Sequence, residues 1–187
     1  MQLLSPRLSI RRFQAADVSA FHAYRSDPDV ARYQSWSVPF AEETAERLVA
    51  EFAEGDPHEP GWFQYALADR ETGQLVGDIG VCLSDNLMQA ELGFTVAAPF
   101  HGRGLGTEAV TTMLDYLFTQ RKLHRVAAEC DARNTASARL LERVGFTREG
   151  LRRQHTWIKG EWTDDVLFGL LAADWVRNGL ADEASHR

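Results

Sequence analysis

Residues 91–107 read ELGFTVAAPFHGRGLGT, a stretch of strand character, a proline-marked turn, and then Gly102, Gly104 and Gly106 directly before a run with helical spacing. Alternation puts Glu91, Gly93 and Thr95 on one face of the strand and Leu92, Phe94 and Val96 on the other, so one side packs and the other lines a cleft. A glycine-rich turn that opens a helix presents several main-chain N–H groups and the positive end of the helix dipole. That combination suits a phosphate or pyrophosphate. The helix itself is predicted from Gly104 to Gln120, with Ala109, Val110, Met113, Leu114, Leu117 and Phe118 on its apolar face.

Upstream, WFQYALAD, LVGDIGVCLS and QAELGFTV read as three strands joined by the short turns RETGQ and DNLM, an antiparallel meander rather than a βαβ series. Further back, Leu8, Ile10 and Phe13 suggest an opening strand, and Asp17 looks like the N-cap of a helix reaching about Arg25. Ser26 to Pro39 (SDPDVARYQSWSVP) holds turn formers around a short helical piece and reads as a structured excursion. Ala45, Leu48, Val49 and Phe52 mark a helix within Phe40 to Glu54, closed by GDPHEPG. Downstream come a strand at Arg125 to Cys130, a helix at Thr135 to Val144 stopped by Gly145, and two strands near 147–157 and 163–171 split at Lys159-Gly160. The order predicts one α/β (α+β) domain over residues 1–187, with a mixed, mostly antiparallel sheet of about seven strands flanked by about four helices. Residues 177–187 would be a short tail.

The chain has 187 residues, enough for one well-buried core, and its 44% apolar, 10% aromatic and 25% charged residues exclude disordered, collagen-like and disulfide-scaffold classes. A net charge of −7 disfavours nucleic acid as a partner. The charge is uneven: residues 1–120 carry 8 Lys and Arg against 17 Asp and Glu, whereas 121–187 carry 12 against 10. The first residues, MQLLSPRLSIRRFQ, lack the apolar core of a secretory signal, and no apolar run approaches the roughly 18 residues of a membrane span, so a cytoplasmic protein without a membrane partner is expected. Cys82 and Cys130 show no CxxC or Cys/His spacing. They are expected to be buried, reduced thiols, with no metal site.

Three anionic ligands compete for the glycine turn. A P-loop needs a lysine after the glycines, where Thr107 and Glu108 stand. A dinucleotide turn is met by Gly102 and Gly104, but Thr107 occupies the third glycine's place and the preceding strands are antiparallel; only Asp131, after the next strand, speaks for it. The third is coenzyme A.

FTVAAPFHGRGLGTEA resembles the acyl-CoA-binding motif of the GNAT superfamily of N-acetyltransferases, whose usual form is Gln/Arg-x-x-Gly-x-Gly/Ala after a strand. Gly104 and Gly106 match it, and His101 stands where Gln or Arg is usual. SPRLSIRRF, SDPDV, NTASARLLERVGF and GEWTDDVLFGLLAADW are similar to the branch that acetylates ribosomal-protein N-termini (RimJ/RimL-like), covering about residues 3–176. The resemblance implies acetyl-CoA as cosubstrate, with Phe94, Thr95 and Val96 offering main-chain groups to the pantetheine arm. His101, Gly102, Arg103, Gly104, Leu105, Gly106 and Thr107 would surround the pyrophosphate. Asn134, well placed as an N-cap, would also contact the cofactor. Where many members have a tyrosine to serve the departing thiolate, this chain has Leu141; Ser137, near the start of the same helix, fits the serine donor of the ribosomal branch.

Acyl transfer needs a neutral amine. An α-amine is roughly one-tenth to one-sixth neutral at pH 7 and a lysine only about 0.04%, a difference of about 3–4 kcal/mol, so a protein N-terminus needs only a mild base. Glu91, on the cleft-side face, is the candidate base, against the plainer reading of a solvated or paired strand carboxylate. Arg133, Arg139, Arg143, Arg148, Arg152 and Arg153 either meet the cofactor's 3′-phosphate or form solvated surface. By family analogy Trp36, His155 and Trp157 line the acceptor site, with packing as the alternative; His22 and His124 are expected at the surface. The expected activity is direct acetyl transfer from acetyl-CoA to a primary amine such as a protein N-terminal α-amine. The alternatives are an aminoglycoside or polyamine acceptor, or a non-catalytic CoA-binding sensor. A homodimer is in keeping with the branch and is read from no residue.

Overall fold

The computed structural model describes residues 2–176, so the predicted tail at 177–187 lies outside the described residues. The strands are β1 (Leu3–Leu4), β2 (Leu8–Arg11), β3 (Gly61–Asp69), β4 (Leu75–Leu83), β5 (Gln89–Val96), β6 (Arg125–Asp131), β7 (Thr147–Ile158) and β8 (Glu161–Leu171). The helices are α1 (Val18–Arg25), α2 (Pro28–Ala31), α3 (Glu42–Glu54), α4 (Leu105–Asp115) and α5 (Thr135–Arg143), with a further helical turn at 172–176. All eight strands form one sheet in the order β1-β2-β3-β4-β5-β6-β8-β7, in which every pairing is antiparallel except β5 with β6. The meander β3-β4-β5 thus stands as the alternation predicts. The count exceeds the expected seven because β1 is a two-residue strand, too short to show a period. The helix count exceeds four because α2 and residues 172–176 are single turns.

Each face of the sheet buries its own layer. On one, α4 lays Leu105, Ala109, Val110, Met113 and Leu114 against Leu92, Val126 and Phe168. On the other, α1 and α3 bring Phe21, Tyr24, Ala45 and Val49 onto Phe13, Ala66 and Leu75. With helices on both faces β4 is buried at eight of its nine positions, and its run of apolar residues follows from that placement. α4 continues as a π turn over Tyr116–Gln120, which accounts for the predicted helical reach to Gln120.

Asp17 is not the simple N-cap that was expected. It closes a 3-10 turn at Ala15–Asp17, accepts from the Gln14 N–H at 2.8 Å and pairs with Arg11 at 2.7 Å, so α1 begins at Val18. His22 is half-buried, with its Nε2 2.8 Å from the Phe40 carbonyl, rather than at the surface. Both cysteines are free and half-buried rather than fully buried. Burial, reinforced by Asp131 and Asp165, pushes the Cys130 thiol up to about 11, which keeps it protonated at neutral pH. Among the described residues no helix is long and apolar enough to cross a membrane.

Candidate active site

The chemistry gathers where two strands part. β5 and β6 pair only over Gln89–Glu91 opposite Arg125–Ala127. Beyond that point β6 runs on against β8 to Asp131, while β5 runs on to Val96 with only β4 beside it. At the opening lies a cleft of about 510 Å³. Phe94, Thr95 and Val96 of β5, His101, Gly102 and Gly104–Thr107 of the glycine turn, and Asn134 with Ser137, Arg139, Leu140 and Arg143 of α5 behind it form three of its sides. Asp29, Val30, Tyr33 and Gln34 from the Ser26–Pro39 excursion form the fourth.

The glycine turn is shaped for an anion by local backbone geometry. Gly102 and Gly104 have φ of 71° and 76°, a region L side chains rarely adopt, and Gly104 is the N-cap of α4. The N–H groups of Leu105, Gly106 and Thr107 therefore open the helix with no intrahelical acceptor, pointing out of its positive end. Gly106 has a different reason to be glycine. A Cβ there would stand 2.9 Å from a methyl of Leu140, so its absence lets α4 and α5 close to form the cleft wall.

The turn is held from behind by the N-terminal strand region. Glu108 accepts from Ser5 Oγ, the Arg7 N–H and Arg7 Nε, each at 2.7 Å, and Arg7 Nη1 donates to the Arg103 carbonyl at 2.8 Å. Burial raises the Glu108 carboxyl, but the hydrogen bonds from Ser5 and Arg7 outweigh it and hold the group below the usual carboxylate range. His101 Nε2 lies 2.7 Å from the Val96 carbonyl; a carbonyl only accepts, so this nitrogen carries the proton and the ring ties the end of β5 to the turn. Arg103, although inside the motif, does not line the cleft: its guanidinium lies 5.5 Å from the Phe100 ring centre.

Asn134, which also lines the cleft, caps α5 through its Oδ1, which accepts from the Ser137 N–H at 3.1 Å. The Ser137 side chain lines the same wall, and Leu141, at the tyrosine position, is buried in the core.

Glu91 is not in the cleft lining. It is the last residue of β5 paired with β6, at the apex of the splay, on the face opposite Leu92 and Phe94. Burial, then the neighbouring Glu129 charge, push its carboxyl up, against a smaller pull from Arg152. Beside it, Cys82 is its direct partner on β4, and Trp62, 59% exposed, lies over Gly80 and Gly93. The three tentative acceptor residues do not share a pocket. Trp36 is half-buried with its ring 3.7 Å from the Arg25 guanidinium; His155 Nδ1 is 2.9 Å from Asp165; Trp157 is exposed against Trp162 at the β7-β8 tip.

The comparison with known families decides what a strand splay beside a glycine-opened helix belongs to here. Residues 7–147 match the acetyltransferase (GNAT) domain family. The chain belongs to the GNAT acetyltransferases. The uncharacterized N-acetyltransferase p20 of Bacillus licheniformis is 29% identical over 175 residues, 93% of this chain and 98% of that one. The ribosomal protein uS5-alanine N-acetyltransferase of Escherichia coli K12 is 31% identical over 119 residues, 61% of this chain and 60% of that one. Among solved structures, a GNAT-family acetyltransferase from Bacillus anthracis superposes with a TM-score of 0.84 at 29% identity, covering 92% of this chain and 99% of that one. As a GNAT enzyme the protein is an acetyl-CoA-dependent N-acetyltransferase, and the free N–H groups of its glycine turn suit the pyrophosphate of that cosubstrate.

The GNAT motif and Asn134 are legible from local spacing. Tyr33 and Gln34 carry no such signal, and Asp29 and Val30 stand in the SDPDV stretch without being marked as cleft residues. Arg139 and Arg143 reach the cleft, whereas Arg133 pairs with Asp131 and Glu161, and Arg152 with Glu129.

Proposed function

We propose that the protein transfers the acetyl group directly to a primary α-amine at the end of a polypeptide, which enters from the sheet face carrying Glu91 while acetyl-CoA occupies the cleft. The observation that carries this reading is the position of Glu91 at the apex of the splay, a carboxylate at the junction of the cleft-lining strand and the open face. The amine nitrogen attacks the thioester carbonyl carbon; the C–N bond forms, the C–S bond breaks, and the sulfur leaves as thiolate. Glu91 accepts the amine proton, directly or through a water, and the Ser137 hydroxyl donates a hydrogen bond to the thiolate, which takes its proton from solvent. Main-chain groups of Phe94, Thr95 and Val96 position the arm of the cosubstrate, so most of the rate comes from orientation. An α-amine suits a carboxylate base with its pKa pushed up, because little proton affinity is needed to keep the nucleophile neutral. The similarity to the uS5-alanine acetyltransferase supports the same class of acceptor.

The test is a free-thiol assay with acetyl-CoA and three acceptors: a peptide with a free N-terminal alanine, spermidine, and an aminoglycoside. The reading expects thiol release with the peptide and, by mass spectrometry, one acetyl group on its α-nitrogen. Turnover only with spermidine or the aminoglycoside would reassign the acceptor. Binding of acetyl-CoA without turnover of any amine would favour a sensor.

A further inference from the structure

A second cluster of polar groups lies buried beneath the excursion, and the transfer chemistry does not use it. Asp78 of β4, 1% exposed, accepts from Arg25 Nη2 at 2.8 Å, from Gln64 Nε2 at 2.7 Å and from the Tyr24 hydroxyl. Three elements, α1, β3 and β4, thus converge on one carboxylate. The Arg25 guanidinium lies between aromatic rings, 3.7 Å from the Trp36 centre and 4.8 Å from that of Phe21. Trp36 Nε1 donates to the Arg25 carbonyl at 3.0 Å. The chain therefore leaves α1 at Arg25, makes α2 and returns at Trp36 onto the residue it left, so residues 26–35 form a loop closed at its base by one side chain.

The apex of that loop is the fourth side of the cleft, through Asp29, Val30, Tyr33 and Gln34. Asp78 is also the direct partner of Thr95, which lines the cleft from β5. Asp78 is thus tied to both sides of the cleft, by its carboxylate to Arg25 and by its backbone to Thr95. From the far side two exposed groups reach the apex: Lys159 Nζ donates to the Ala31 carbonyl, and the Arg133 guanidinium lies 5.9 Å from the Tyr33 ring centre. Arg25 Nε is buried with no partner, a cost in stability that the rest of the cluster carries. A buried ion pair of this kind is seldom a net gain over apolar packing of the same volume, so its use lies in placement.

We infer that Arg25, Asp78 and Trp36 are positioning residues that pin the 26–35 loop as a wall of the acetyl-CoA cleft, so that breaking the pin weakens cosubstrate binding without unfolding the domain. The inference rests on the cleft being the acetyl-CoA site. Two variants test it. Arg25→Met with Asp78→Asn removes both buried charges together, and Trp36→Leu opens the base of the loop without touching the Asp78 hydrogen bonds. Calorimetry with acetyl-CoA, urea unfolding, and hydrogen exchange at 26–35 are the readouts. Both variants should bind acetyl-CoA about tenfold more weakly, as expected if the wall is in its binding position about a tenth of the time. Exchange at 29–34 should speed up and be slowed again by saturating acetyl-CoA, with kcat at saturation and the urea midpoint close to the parent's. If the double variant does not fold, Trp36→Leu decides alone. A folded variant that binds acetyl-CoA as tightly as the parent, or exchanges at the parent's rate, overturns the pin. A parent that does not bind acetyl-CoA overturns the cofactor assignment of the cleft and the inference with it.

Discussion

At the glycine turn the cleft is made of main chain; beyond Glu91 the open sheet face is made of side chains. The first region needs Gly102 and Gly104 for their φ, Gly106 for close helix packing, and the brace of Ser5 and Arg7 on Glu108. It offers N–H groups that any GNAT sequence with these glycines would offer, which is how a chain of net charge −7 can take an anionic cosubstrate without a basic surface. The second region assembles Trp62, Cys82, Glu91, Glu129 and Arg152 from five strands. The glycine turn thus meets its ligand through backbone N–H groups that side chains only brace, whereas the proposed acceptor face is built from the side chains themselves.

Substitutions should separate the two. The largest effect is expected on the side-chain region: Glu91→Gln lowers kcat by about a hundredfold, the low end for loss of a general base, with acetyl-CoA affinity unchanged by calorimetry. Equal losses in affinity and kcat would merge the two regions. Next, Gly104→Val forces a β-branched residue into the left-handed region and turns the helix N–H groups away. Acetyl-CoA should bind about thirtyfold more weakly, near 2 kcal/mol, read by titration of a protein whose circular dichroism stays that of the parent. The smallest effect is a pH shift. Glu91 must be ionised to act as base, and its raised pKa places the acidic limb of kcat/KM above the usual carboxylate range. Glu129→Gln removes a like charge and frees Arg152, so the Glu91 pKa falls and the limb moves to lower pH by less than about one unit. A shift to higher pH would assign the limb to another group.

Legibility followed the same division. The meander, the glycine turn, α4, and α5 with its Asn134 cap are written within short stretches whose period or spacing is local. The excursion shows turn formers around a short helical piece, but its place against the cleft is not legible because what sets it is long-range: Arg25 and Asp78 are 53 positions apart, and the Arg7–Glu108 brace spans 101. Family analogy puts Trp36 at the acceptor site, yet its ring stacks on Arg25. No periodicity marks such a contact, since aromatic stacking on a buried guanidinium leaves the same sequence trace as any core tryptophan.

The central claim is that the turn at 102–107 and the splayed end of β5 hold acetyl-CoA. A crystal structure of the protein grown with coenzyme A tests it most directly. The account predicts pyrophosphate oxygens within hydrogen-bond distance of the main-chain N–H groups at Leu105, Gly106 or Thr107, with the thiol end directed between β5 and β6. Coenzyme A seated away from this turn, or with its pyrophosphate held only by side chains, would contradict it.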